Sequence, residues 1–168
     1  MNFFVRDPKC EEPHLTNYLM ITNDTEHFSG SIYSAFELIF QRFELKRWDL
    51  NERTRFRKVI GSGDRLAFYA AGKRKNCGHI IACARVGAVI TRSADLKRNN
   101  DLLASSPVSQ LELKDINIIE PINFKDKFFE LEMSIGVRRT KKWGSALMGG
   151  AKKLSDNDWD ALGLPQQT

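Results

Sequence analysis

The sequence predicts an α+β fold, an antiparallel or mixed β-barrel with one long helix and a few short helical pieces. Three observations point there. Short apolar runs closed by turn residues recur at 18–22, 65–70, 79–86 and 111–119. One segment, 31–48, carries a long stripe at helical spacing. Connections between successive strands are short and lack the strand–helix alternation of a doubly wound sheet. At 168 residues the chain has the size of one domain. It divides into a polar leader over 1–16, one domain over 17–164 and a loose tail over 165–168.

Each element follows from local pattern. Residues 18–22 are apolar and end at Asn23 and Asp24, which reads as a buried strand and a turn. Within 31–48, Ile32, Phe36, Ile39, Phe40 and Phe43 share one helical face, best explained as core packing. Ser29 or Ser31 can cap that helix, and Lys46 and Arg47 suit the negative end of its dipole. Residues 51–58 fit two readings. If extended, Arg53, Arg55 and Arg57 share a face; if helical, only Arg53 and Arg57 align.

Gly61 to Asp64 form a turn into the strand at 65–70. A basic hairpin-like loop at 73–78 leads to the apolar strand 79–86, which can continue to Thr91 past a bulge at Gly87. Residues 92–107 read as a polar excursion or short helix. The alternating strand 111–119 is expected to break at 120–123, where Pro121 sits. Residues 128–133 fit a strand or a short helix. Ser155 opens a last helix through an S-x-x-D capping pattern, with Trp159 and Leu162 facing inward.

Hydrophobic residues make up 42% of the chain and charged residues 28%, a balance that suits a packed core. The net charge of +5 is modest, but it is clustered. Half of the 26 basic residues fall in three groups, which centre on 46–58, 73–75 and 138–142. Three widely spaced cysteines, Cys10, Cys77 and Cys83, argue against a disulfide framework. Cys83 sits in an apolar run and reads as a small buried hydrophobe. Charges at Asp7, Lys9, Glu11 and Glu12 interrupt any signal-peptide pattern, and no apolar run approaches membrane-spanning length. A cytoplasmic chain with no membrane partner is expected.

The search for catalytic motifs is negative. The turn at 61–64 lacks the phosphate-loop pattern, and it precedes a strand, where a dinucleotide fingerprint would follow one. His14, His27 and His79 are far apart, and Cys77 has too few neighbouring ligands for zinc. Ser145 lacks a nucleophile-elbow pattern. No catalytic residue, metal or cofactor is expected, although acids converging in space would make an enzyme acting on nucleic acid or nucleotides. The most informative stretch is 138–152: five Lys/Arg, no acid, three glycines and Trp143. Cations hold phosphate and a flat ring stacks on a base, so this composition suits a nucleic-acid surface. A solvated loop with one buried Trp is the rival reading.

Several landmarks occur in a recognisable order. A strand ends in Ile21, Thr22 and Asn23. Trp48 follows a helix. Gly63 and Asp64 feed an apolar strand ending in Tyr69, and Gly78 opens the next strand. A basic segment carries Trp143, then Met148 and Gly149, and the chain reaches Leu154, Ser155, Asp158 and Trp159. From about Asn17 to Leu162 this resembles the EVE domain family, relatives of PUA and YTH domains. The resemblance implies a PUA-like bent, partly closed mixed β-barrel flanked by helices. It also implies a pocket for a nucleobase, often a modified one.

With that resemblance, the expected ligand-pocket residues are Asn23, Trp48, Tyr69, Trp143, Ser145 and Met148. The expected phosphate-binding residues are Arg53, Arg55, Arg57, Lys73, Arg74, Arg139, Lys141 and Lys142. Rival roles stay open. Trp143 could plug the barrel end, Trp48 could anchor the helix end, and Tyr69 could face the core. Asn23 could cap a turn instead of reading a base edge. The expected function is a non-catalytic module holding a base of DNA or RNA beside a basic surface. A small-molecule sensor using the same pocket is the further alternative.

Overall fold

The computed structural model of the chain describes residues 15–26, 29–97, 107–137 and 143–166. In chain order the strands are β1 (Asn17–Thr22), β2 (Thr25–Glu26), β3 (Ile32–Tyr33), β4 (Arg47–Leu50), β5 (Arg65–Ala70), β6 (His79–Ile90), β7 (Ser109–Asn123) and β8 (Ala151–Leu154). The helices are α1 (Ala35–Leu45), α2 (Phe124–Lys127) and α3 (Asp156–Ala161), joined by short 3₁₀ turns. Six strands form one curled mixed sheet in the order β4-β7-β6-β5-β1-β8, while β2 and β3 pair separately. This is the α+β, partly closed mixed barrel with flanking helices that the sequence predicts. Among the described residues no helix is long and apolar enough to cross a membrane.

β1 is the strand on which the rest is built. It pairs parallel with β5 and antiparallel with β8. Both its faces are covered, which explains a continuous apolar run where a half-exposed strand would alternate. Tyr18 and Met20 join the core under α1, with Ile39, Phe43, Trp48 and Phe68. Leu19 and Ile21 join a second core with Phe124, Phe128, Leu154 and Trp159. The helical stripe is core packing, as expected: Phe36, Phe40, Phe43, Phe68 and Trp48 form a chain of ring contacts with centroids 4.7–5.9 Å apart.

The helix expected over 31–48 is shorter at both ends. Ile32 and Tyr33 pair with β2, and the cap is Ser34, not Ser29 or Ser31. Ser34 accepts from the Glu37 amide while the Glu37 carboxylate accepts from the Ser34 amide, a complete capping box. At the other end Lys46 turns left-handed (φ 52°), and residues 47–50 join β7 as a strand. Residues 51–58 are neither extended nor helical. They form turns, with Phe56 at φ 60°, so Arg53, Arg55 and Arg57 do not share a strand face.

β7 does not break at 120–123. It pairs with β6 through Ile122 and Asn123, and the register shift between Ile80 and Ala82 leaves Pro121 unpaired in a bulge, where a missing N–H costs no ladder bond. The expected bulge at Gly87 is present as a register shift between Val86 and Ala88. Residues 128–134 form 3₁₀ turns, pinned by the Asp158 carboxylate, which accepts from the amides of Glu132 (2.6 Å) and Met133 (3.1 Å). Pro165 and Gln166 are not loose: Trp159 Nε1 donates to the Pro165 carbonyl at 3.2 Å, and Gln166 bonds Asp160 and Arg65.

The sheet does not close by strand pairing between its edges, β4 and β8. The turns after β4 fill the gap. The Arg55 amide donates to the Gly149 carbonyl at 2.9 Å, just before β8, and the Arg55 side chain lies across Gly149. A Cβ at Gly149 would meet Arg55 Cδ at 2.6 Å.

Candidate functional site

Two cavities adjoin where β1 ends, and Ile21 and Asn23 line both. The first, of about 300 Å³, is walled by Tyr69, Ala71, Trp143, Gly144, Leu147 and Met148. Trp143 opens a 3₁₀ turn (Trp143–Leu147) that is anchored by buried Leu147. Its half-buried ring leans on Phe128 (centroids 4.8 Å, 37° between planes) and meets Phe129 edge-on at 6.3 Å. Tyr69, the penultimate residue of β5, has its ring on Phe124 at 4.9 Å. Burial, and then the neighbouring Cys77, raises its phenol, so the hydroxyl remains a donor at neutral pH. Met148, 70% exposed, forms the lip.

Asn23 is exposed, and its backbone carbonyl accepts from Thr25 Oγ1 at 3.3 Å. No hydrogen bond engages its side-chain amide among the described residues.

The second cavity, of about 240 Å³, is polar. Arg42, Trp48, Asp49, Asn51, Thr54 and Gly150 line it. The Arg42 guanidinium lies 4.6 Å from the Trp48 ring centroid, and its Nη1 donates to Thr22 Oγ1 at 3.4 Å. Burial lowers the Arg42 pKa, and the Asp49 carboxylate works against that shift. Two buried atoms here lack a hydrogen-bond partner among the described residues: Arg42 Nε, a donor, and Asn51 Oδ1, an acceptor. Buried polar atoms are nearly always paired, so these two are exceptions behind the cavity wall.

The rim between the cavities carries charge. Arg55 lies over Gly149, flanked by Met148 of the first cavity and Gly150 of the second. Lys152 on β8 has its pKa lowered by burial and then by the Arg55 charge. Neither cation is ion-paired among the described residues.

Of the expected pocket residues, Asn23, Tyr69, Trp143 and Met148 come together in one cavity. Trp48 lies in the other. It is 2% exposed and packed between Phe68 and Arg42, so its ring does not face Trp143 across a shared slot. Ser145 is exposed and lines neither cavity; its carbonyl accepts from the Met148 amide at 3.3 Å. Among the expected phosphate ligands, Arg55 reaches the rim. Arg53 is exposed elsewhere on the same turns, and Arg57 Nε donates to the Glu52 carbonyl at 3.0 Å. Lys73 and Arg74 sit on the β5–β6 loop, with Arg74 along a separate groove beside Ile32 and Phe36. Arg139, Lys141 and Lys142 lie outside the described residues.

Sequence reasoning missed Arg42, Asn51, Thr54 and Lys152. Arg42 adjoins the apolar stripe of α1, which was the one available signal. Lys152 closes the basic stretch 138–152, but only the fold brings it to Arg55. Among the described residues no group of His, Cys, Asp and Glu is placed to hold a metal ion.

The chain matches no protein-family model and no curated protein. Among solved structures it is similar to human THYN1, crystallised with DNA containing 5-methylcytosine. The identity is 14% over 91% of this chain and 99% of that one, with a TM-score of 0.47. It is also similar to PSPTO5229 from Pseudomonas syringae (14% identity, 87% and 96% coverage, TM-score 0.49). A Pseudomonas putida protein compares at 14% identity, 88% and 97% coverage and a TM-score of 0.43.

Proposed function

We propose that the chain is a non-catalytic nucleic-acid-binding module that holds a nucleobase, modified or not, in the cleft beside Asn23. One observation carries this reading. A tryptophan ring, braced from behind by Phe128, shares a cavity with an asparagine amide that is unengaged among the described residues. A ring offers stacking to any base, and an amide both donates and accepts along a base edge. The volume of about 300 Å³ lies at the lower end of the range for ligand pockets.

Magnitudes divide the work. Stacking contributes about 1–3 kcal/mol per base, while extruding a paired base costs a few kcal/mol. Stacking alone therefore does not carry a duplex base into the cleft, and phosphate contacts from Arg55 and Lys152 supply the remainder. The polar cavity adds the side chains of Arg42, Asn51 and Thr54 beside the same Asn23. A methyl on the base would gain about 0.8 kcal/mol by burial against Ile21, Leu147 or Met148, roughly fourfold in affinity. Asp49 is the one acid lining either cavity among the described residues, and its Oδ1 accepts from Gln110 Nε2 at 2.6 Å. That occupancy favours binding over acid–base chemistry.

The test is binding of short DNA and RNA oligonucleotides, single- and double-stranded, carrying unmodified, methylated or hydroxymethylated bases. Trp143→Ala should weaken binding about 5- to 150-fold, the equivalent of one stacked base. Its thermal unfolding should show that the domain stays folded. Equal affinity in mutant and wild type would sink the assignment.

A further inference from the structure

A second basic site lies on the other side of the α1–β4 junction. A groove of about 580 Å³ runs along the last residues of α1, the start of β4 and the middle of β7. Lys46, Arg47, Lys97 and Lys114 line it, against two acids, Glu112 and Asp115. None of these four cations belongs to the base cleft.

The groove is built, not a chance scatter of lysines. Gln110, 1% exposed, clamps the Lys97 backbone from both sides: its Oε1 accepts from the Lys97 amide at 2.8 Å and its Nε2 donates to the Lys97 carbonyl at 2.6 Å. The stem of Lys114 lies over Gly87, where a Cβ would meet Lys114 Cε at 2.6 Å. Lys46 is held left-handed at the end of α1, and its carbonyl accepts from the Leu113 amide at 2.9 Å. Arg47 pairs across the strands with Glu112, yet its Nη1 is buried with no hydrogen-bond partner among the described residues.

Three lysines and an arginine along one groove suit an oxygen-rich anion, because arginine is always charged and matches phosphate geometry. The carbonyl end of α1 opposes an anion with about half an elementary charge. Four cations against two acids outweigh it.

The geometry points to this groove as a second phosphate site that takes the sugar–phosphate backbone flanking the bound base. The inference rests on the nucleic-acid reading above. It adds a direction to that reading: α1 sends Arg42 into the cleft and Leu45 and Lys46 into the groove, and β4 sends Trp48 one way and Arg47 the other. A strand with its base in the cleft then lays neighbouring phosphates across the α1–β4 junction.

The experiment is the salt dependence of binding to a 12-nucleotide single strand, for wild type and for Lys97→Gln/Lys114→Gln. Both lysines are exposed, and a thermal melt checks folding. Removing one phosphate contact lowers the slope of log K against log salt by about 0.7 on a single strand. The double variant should therefore lose about 1.4 from the slope and bind severalfold more weakly at low salt. A control, Lys125→Gln/Lys127→Gln at the far end of β7, should keep the wild-type slope. A wild-type slope in the groove variant, or an equal loss in the control, overturns the inference while the base cleft stands. If wild type binds no oligonucleotide at any salt, the functional reading itself fails and takes this one with it.

Discussion

Two arginines show how differently one residue type is used. Arg65 serves the fold. Its Nε donates to Asn17 Oδ1 at 2.6 Å, its Nη1 to Gln166 Oε1 at 2.8 Å and its Nη2 to Asp156 Oδ1 at 3.1 Å, while the guanidinium lies 4.8 Å from the Trp159 ring centroid. It ties β1, β5, α3 and the chain beyond α3 together. The Asp156 bridge is largely solvent-exposed and counts for little, but the half-buried bonds and the stacking do not. Arg65→Met should cost about 2–3 kcal/mol and lower Tm by about 5–10 °C. A Tm within a degree or two of wild type in a thermal melt would refute that network. Arg55 has no such set of partners and instead covers a glycine at the rim of the cleft. In the sequence both are arginines beside apolar residues. Trp143 was legible because a large ring among glycines and cations is unusual. Arg42 was not, and Lys152 was seen only as part of a basic stretch, since their surroundings are assembled from distant segments.

At the scale of elements, Asp24 joins three segments. Its carboxylate accepts from the Ala35 amide at the start of α1 (2.8 Å) and from the Lys73 amide on the β5–β6 loop (2.9 Å), with Cys77 Sγ at 3.7 Å. Desolvation alone would raise its pKa. The two amides, the thiol and the Arg74 charge outweigh it and hold the group below the ordinary carboxylate range. A carboxylate depressed in the folded state stabilises it above the unfolded pKa of about 3.9, and that stability is lost as pH falls through the lower folded value. The urea midpoint of wild type should thus fall more steeply between pH 5 and 3 than that of Asp24→Asn. Parallel curves would mean the carboxylate is not coupled to folding. Sequence pattern located α1 but not its ends, although Ser34 alone among Ser29, Ser31 and Ser34 is followed by Glu three residues on, the capping-box signature. The Glu37 return bond and the pairing of Ile32 and Tyr33 decide among them. Likewise Pro121 reads as a strand breaker until β6 supplies a register shift to hold it.

For the whole molecule, the closure of the barrel depends on a backbone contact between turns where no ladder forms. Gly149 has φ +102°, and its missing side chain admits Arg55. Gly149→Ala combines an unfavourable backbone conformation with a steric conflict and should destabilise by about 1–2 kcal/mol. Hydrogen exchange at the Arg55 amide, which donates to Gly149, should accelerate more than exchange within β5. Uniform acceleration would place the effect in global stability instead. The fold class was legible from short apolar runs and short connections. Strand order was not: β1 reads as a first strand that should pair with its sequence neighbours, yet it sits between β5 and β8.

That position of β1 has a consequence in time. Leu19 pairs with Lys152, and the cleft wall beside Asn23 is drawn from Trp143, Gly144, Leu147 and Gly150. Lys152 and all four of those wall residues leave the ribosome after β7. Contacts so far apart along the chain close late and slowly. A nascent chain can hold most of its sheet and still have no cleft, so the cleft is complete only once the last strand has been made.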